Sequence, residues 1–261
     1  MQSSVKIRWN SLKIEHLLVK SLHFTPEKIK YNALAVFSHG YTTQKESIFN
    51  WAQSLSLSGI PCVIFDLPGH LLSSEFEVKK FEDFTSLSHL FFLEALSLHE
   101  NITKQKINSL IIGGHSLGAF LSLKALKLLN NNQYKNLFAI CVGLGLPPEE
   151  SIHIFKTDFF KNTLSIREQL VSNCLKSENI LPWLKMEKEK IKIENKKIYM
   201  ITGKDDIIAP PKHVERFIEK LKDNTENNIE INYTLLNKLA HYQPEFAAGT
   251  IKSIIIKELN K

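Results

Sequence analysis

The stretch Ser109-Leu-Ile-Ile-Gly-Gly-His-Ser-Leu-Gly-Ala119 opens with an apolar run, Leu110 to Ile112, of the length and character of a buried strand. Gly114-His115-Ser116-Leu117-Gly118 follows. The pattern then turns helical through Ala119, Phe120, Leu121, Leu123, Ala125, Leu126, Leu128 and Leu129. Strand, G-x-S-x-G and helix together predict a nucleophile elbow. A serine at the tip of so tight a turn is held in a strained backbone conformation that lifts its hydroxyl above the sheet. Glycines two positions to either side remove the Cβ atoms that would collide as strand and helix approach. The helix start aims free N–H groups at the place where negative charge would develop.

Around this stretch the chain alternates strand and helix. Val5 to Leu22 reads as an antiparallel pair of strands, and Thr25 to Lys28 as a turn. Ala33 to Phe37 is a buried strand ending in Ser38-His39-Gly40-Tyr41, and a helix from about Lys45 to Leu57 follows it. Cys62 to Phe65 is the next strand, ending in Asp66-Leu-Pro-Gly-His70, and Phe81 to His99 has helical spacing. Beyond the elbow helix, Phe138–Val142, Ile198–Ile201 and Ile229–Leu236 read as strands. Pro210-Pro211 opens a helix through Leu221, and a last helix carries Phe246, Ile251, Ile254 and Ile255. This order predicts an α/β fold, a mostly parallel central sheet with helices on both faces. From Glu149 to about Lys196 the rhythm breaks into short amphipathic helices without a strand. The expectation is a core of residues 1–148 and 197–261 with a small helical lid, 149–196, inserted between two of its strands.

Composition narrows the class. A chain of 261 residues, 43% hydrophobic and 23% charged, suits one soluble globular domain with an insertion. Cys62, Cys141 and Cys174 lie far apart with no C-x-x-C pair, which points away from a zinc site or a disulfide framework and toward a reducing compartment. The first ten residues lack the apolar core of a signal peptide, and no apolar run is long enough to span a bilayer, so a cytoplasmic location is expected. The formal charge is +6, but the lysines are scattered. Lys185-Met-Glu-Lys-Glu-Lys-Ile-Lys192 mixes both signs and reads as a solvated helix face. No nucleic-acid partner is expected; an acidic acyl carrier protein is the partner that a basic surface leaves open.

Ligands of open α/β sheets bind beyond the carboxyl ends of the strands, and four strand ends here carry polar or glycine-rich sequence. The elbow supplies Ser116. The Ser38-His39-Gly40-Tyr41 loop would place a second N–H beside it, so the amides of Tyr41 and Leu117 are the candidate oxyanion hole. A serine nucleophile needs a base, and the base an orienting carboxylate. His39 and His115 flank motifs and read as loop builders; His89 and His99 lie on a helix; His213 would turn away from the pocket. His241, after the last strand, is the candidate base. Asp205 and Asp206 are adjacent at a strand end, whereas Asp66 precedes the serine. Ser116, Asp206 and His241 keep the chain order Ser, Asp, His that belongs to this elbow.

With Ser38-His-Gly40, Asp66-Leu-Pro-Gly-His70, Gly114-His-Ser-Leu-Gly118, Gly203-Lys-Asp-Asp206 with Pro210, and the late His241, the chain resembles the α/β-hydrolase fold superfamily over nearly its whole length. The resemblance implies Asp206 rather than Asp205 as the carboxylate. It also implies structural roles for Asp66 and His70 in the loop beside the site, with His39, Gly40 and His115 supporting their own loops. Leu71 stands where relatives often have glycine, and Lys238-Leu-Ala240 precedes the histidine where many have one, which predicts local reshaping.

The expected activity is that of a serine hydrolase cleaving a carboxylic ester or thioester through an acyl-enzyme, with no cofactor and no metal. The alternatives are an esterase for carrier-bound methyl esters, an acyl-thioesterase, and a non-hydrolytic ligand-binding or receptor module on the same fold. In the lid, Ile152, Ile154, Phe155, Phe159, Phe160, Leu164 and Trp183 would either line an acyl tunnel or pin the lid to the body.

Overall fold

Strand β1 (Val5–Ile14) turns back on β2 (Leu17–Pro26), and the two pair antiparallel over their full length, from Val5 with Pro26 to Ile14 with Leu17. Thr25 and Pro26, expected in a turn, therefore finish a strand. The computed structural model describes residues 4–70, 76–147, 156–226 and 228–261. Next come β3 (Ala33–Ser38), α1 (Phe49–Leu57), β4 (Cys62–Phe65), α2 (Phe81–Leu87) and α3 (Phe91–Thr103). The elbow joins β5 (Ser109–His115) to α4 (Leu117–Leu128), and β6 (Asn136–Val142) follows. Two helices, α5 (Asp158–Arg167) and α6 (Ser177–Lys190), stand between β6 and β7 (Lys197–Gly203). The chain ends with α7 (Pro211–Asp223), β8 (Glu230–Leu236) and α8 (Ala248–Leu259).

The described residues form one eight-stranded sheet in the order β1-β2-β4-β3-β5-β6-β7-β8. Only β1 with β2 and β2 with β4 run antiparallel; every other neighbouring pair is parallel. Every residue of β3 and β5 is buried, which is why both read as continuous apolar runs rather than alternating ones. The period of two reappears in what each side chain meets. Leu34, Val36, Leu110 and Ile112 join Phe91, Phe120 and Leu123 on one face, while Ala35, Phe37 and Ile111 join Trp51, Leu55 and Ile251 on the other.

Two helices differ from their expected form. The segment starting at Lys45 opens as a 3-10 turn, Lys45–Ile48, before α1. Asp66, at the end of β4, accepts the Lys45 backbone N–H at 2.9 Å and its ammonium at 2.7 Å, so a carboxylate satisfies a free donor of that turn. The segment from Phe81 is two helices separated by a 3-10 turn at Ser88–Leu90, and α3 ends at a left-handed Lys104 with φ 58°. Leu71, Ile152, Ile154 and Phe155 lie outside the described residues. Among the described residues, no helix is long and apolar enough to cross a membrane.

Candidate active site

Ser116 sits between β5 and α4 with φ 49° and ψ −108°, a backbone conformation that costs a non-glycine residue on the order of 1–3 kcal/mol. Neighbouring backbone holds it there. Its N–H donates to the Val142 carbonyl at 2.8 Å, and its own carbonyl accepts from Phe120 at 3.1 Å. The glycines on either side are required by close approach. A Cβ on Gly114 would lie 2.3 Å from the Ser38 carbonyl oxygen, and one on Gly118 would lie 2.5 Å from the carbonyl oxygens of both Ser38 and His39. Because Gly118 has no side chain, its N–H reaches the His39 carbonyl at 3.0 Å, and the loop after β3 is tied to the first turn of α4.

That tie brings Tyr41 beside the serine. Among the described residues, the backbone N–H groups of Tyr41 and Leu117 donate no hydrogen bond, and both residues line the cavity that contains Ser116. The loop is stiffened from below. His39 donates from Nδ1 to the Gly40 carbonyl at 2.8 Å and accepts the Leu67 N–H on Nε2 at 2.9 Å, which fixes a neutral ring. Full burial lowers its pKa to about 3. His70, lowered likewise to about 3 by burial, donates to the Pro68 carbonyl at 3.0 Å and packs against the rings of His39 and Tyr41. The Tyr41 hydroxyl donates to the Leu175 carbonyl at 2.7 Å, joining this loop to the segment between β6 and β7.

On the far side, His241 lies between β8 and α8 and is buried. Its Nδ1 donates to Oδ2 of Asp206 at 2.9 Å, while Oδ1 of Asp206 accepts the N–H groups of Ile208 and Ala209 at 2.9 and 2.7 Å. Asp205 faces elsewhere and accepts the Leu239 N–H at 2.8 Å. His115 fills the space between, its ring centroid 4.6 Å from that of His241. Burial, with the neighbouring His241 second, keeps the His115 ring neutral, its pKa well below the usual histidine range. Among the described residues no hydrogen bond joins His241 to the Ser116 hydroxyl, but both line one cavity of about 490 Å³. Such contacts are often long before substrate binds.

Residues of α5 and α6 also line this cavity. Phe160 and Leu164 of α5 face it, as the tunnel expectation had them. Phe159 and Trp183 do not. Phe159 is exposed, and Trp183 turns to the body, edge-on to Phe81, Phe84 and Phe120 at 5.9 to 6.1 Å. Two charged cavity residues were not expected there from sequence. Arg167 stacks on Tyr242 at 4.2 Å, and Lys188, expected on a solvated face, is buried with its ammonium 2.7 Å from the Gly145 carbonyl. A signal for Lys188 existed. It stands four residues after Leu184 and seven after Leu181, both of which line the cavity.

No family model matches the chain, and no curated protein sequence matches it. Solved structures do. The Est1E structure from Butyrivibrio proteoclasticus with bound ferulic acid superposes with a TM-score of 0.66 at 15% identity, over 97% of this chain and all of that one (100%). A soluble variant of monoglyceride lipase from Saccharomyces cerevisiae, in complex with a substrate analog, gives 0.66 at 15% identity over 98% and 97%. The acylaminoacyl peptidase of Pyrococcus horikoshii gives 0.65 at 16% identity over 99% of this chain, which spans 42% of that longer one. The sheet order, the elbow and these superpositions agree: the chain has the α/β-hydrolase fold.

Proposed function

We propose that the protein is a serine hydrolase that cleaves a carboxylic ester or thioester by acyl transfer to Ser116 and then to water. The observation that carries this reading is the Asp206–His241 hydrogen bond at 2.9 Å in the wall of the cavity where Ser116 stands at a left-handed φ. Asp206 fixes the tautomer of His241 with its proton on Nδ1, leaving Nε2 as the base. His241 takes the Ser116 proton as Oγ attacks the carbonyl carbon, and the oxyanion forms against the N–H groups of Tyr41 and Leu117. One such donor contributes roughly 3 kcal/mol to the transition state. The C–O or C–S bond breaks, the alcohol or thiol leaves with the proton from His241, and water regenerates the serine by the same steps.

In this scheme residues 149–196 act as a cap, whose α5 and α6 restrict access to Ser116. The similar structures bearing the names of a lipase and a peptidase support acyl chemistry on this fold. A fluorophosphonate probe is expected to label the protein and not Ser116→Ala, with turnover of short 4-nitrophenyl esters lost in the same variant. Equal labelling of both proteins rejects Ser116 as the nucleophile, whereas labelling of neither leaves a ligand-binding module on a hydrolase scaffold.

A further inference from the structure

Lys188 is a buried amine with no counter-ion among the described residues. It projects from α6 into the wall of the cavity that holds Ser116, is 9% exposed, and has the Gly145 carbonyl at 2.7 Å as its polar partner among the described residues. No carboxylate pairs with it among those residues. Lysine is rarely buried unless paired, because taking a charge out of water is unfavourable. Burial accordingly lowers its pKa to about 7, so the group is poised between amine and ammonium. A leucine or methionine here would pack against Leu181 and Leu184 without that cost.

The other charged side chains of the described wall have the same sign. Arg167 and Lys185 also line the cavity, and no Asp or Glu does so among the described residues. Arg167 stacks on Tyr242, and no acid pairs with it among the described residues. An ammonium has three donors, and Gly145 uses one of those on Lys188. Two remain for an acceptor that enters with a ligand. A monoanion matches one buried amine in number, and a carboxylate accepts both donors.

We propose that the substrate carries a carboxylate, and that Lys188 receives it while the scissile carbonyl lies at Ser116. This rests on the hydrolase reading and narrows its substrate class to esters or thioesters bearing a free carboxylate, such as half-esters of dicarboxylic acids. Selectivity follows from the missing partner. A neutral ester leaves Lys188 buried and unpaired, whereas a carboxylate of the right reach restores its charge with a bond formed out of water.

The test uses two matched pairs of activated esters. One pair bears a carboxylate or its primary amide at the far end of the acyl chain, the other bears the same two groups on the leaving phenol. In at least one pair the carboxylate member is expected to have a kcat/KM about tenfold or more above the amide, mostly through KM, with the ratio falling toward one in Lys188→Met. The ratio within a pair cancels any general loss in the variant. A second readout needs neither turnover nor a variant. In protein labelled with 13C-lysine, the 13Cε signal that titrates near neutrality is expected to move toward its ammonium position at fixed pH when glutarate monoamide is added, and not with neutral glutaramide. Absence of a carboxylate preference in both pairs, a preference that survives in Lys188→Met, or an unmoved 13Cε signal overturns the proposal. Failure to turn over any ester while the 13Cε signal moves would count against the hydrolase reading alone.

Discussion

Asp206 and His241 are 35 positions apart in the chain, yet Oδ2 of one lies 2.9 Å from Nδ1 of the other, and the second oxygen of Asp206 is held by two backbone N–H groups. The carboxylate is therefore oriented before any ligand arrives. Asp206→Asn puts an amide in its place, which no longer requires the His241 proton to sit on Nδ1. The expected loss in kcat is about 10³- to 10⁴-fold, with little change in KM. Asp205→Asn is expected to lose only a small factor, because Asp205 caps the Leu239 N–H and does not touch His241. Steady-state kinetics of both variants decide the matter, and a larger loss from Asp205→Asn reverses the assignment.

The contact between Gly118 and the loop after β3 gives a second test. Gly118→Ala would set a methyl 2.5 Å from two backbone carbonyl oxygens, so β3 or α4 must shift. Overpacking of this kind costs about 1–3 kcal/mol. Because the loop pushed away carries the Tyr41 N–H, kcat on a small ester should fall by at least about tenfold even where the protein is fully folded. Urea denaturation and kinetics at low temperature separate the two effects. A destabilised variant with unchanged kcat would take Tyr41 out of the oxyanion hole.

These two sites also mark what the sequence contained and what it did not. The elbow was legible because steric need leaves few residue choices: a Cβ on Gly114 or Gly118 would lie 2.3 or 2.5 Å from a backbone oxygen, and no side chain fits. The buried strands were legible because β3 and β5 are covered on both faces. Asp206 stood out from Asp205 by spacing, and the spacing reflects a tight turn whose N–H groups close onto its carboxylate. The direction of side chains on α5 and α6 was not legible. Trp183 and Phe159 have similar local sequence character, but one meets three phenyl rings from distant segments and the other meets solvent. Lys188 was hidden by its charged neighbours, since a run of lysines and glutamates reads as solvated until its phase against Leu181 and Leu184 is known.

Buried neutral histidines predict where acid begins to unfold the protein. His39 and His70 have pKa values lowered to about 3 by burial, against about 6.5 in an unfolded chain. Between those values the unfolded state binds protons that the folded state does not, so stability falls as pH drops through that window. Each such group contributes a slope of about 1.4 kcal/mol per pH unit there. His70→Gln, which cannot charge, is expected to be less stable at pH 7 but to lose stability more slowly between pH 6 and about 4. Urea titrations at several pH values give the slopes directly. Parallel slopes for the two proteins would mean that His70 is protonated in the folded state.

Trp183 gives the last test, because with Ile180 it buries α6 against the body. Its ring meets Phe81, Phe84 and Phe120 edge-on, Lys124 lies 5.3 Å from its centroid, and Lys124 pairs with Glu187 at 2.9 Å. Trp183→Ala removes about 3 kcal/mol or more of packing from that junction. None of these partners belongs to β5, so the loss should appear as local opening of α6 rather than as global unfolding. Hydrogen exchange of amides in residues 177–190 is expected to quicken by about 100-fold, a shift of about 3 kcal/mol in local opening, while β5 amides change far less. Opening of α6 also frees the wall that carries Lys188, so any carboxylate preference should weaken although Lys188 itself is intact. Equal acceleration of α6 and β5 would instead make Trp183 part of the common core, and the cap would have no independent motion to report.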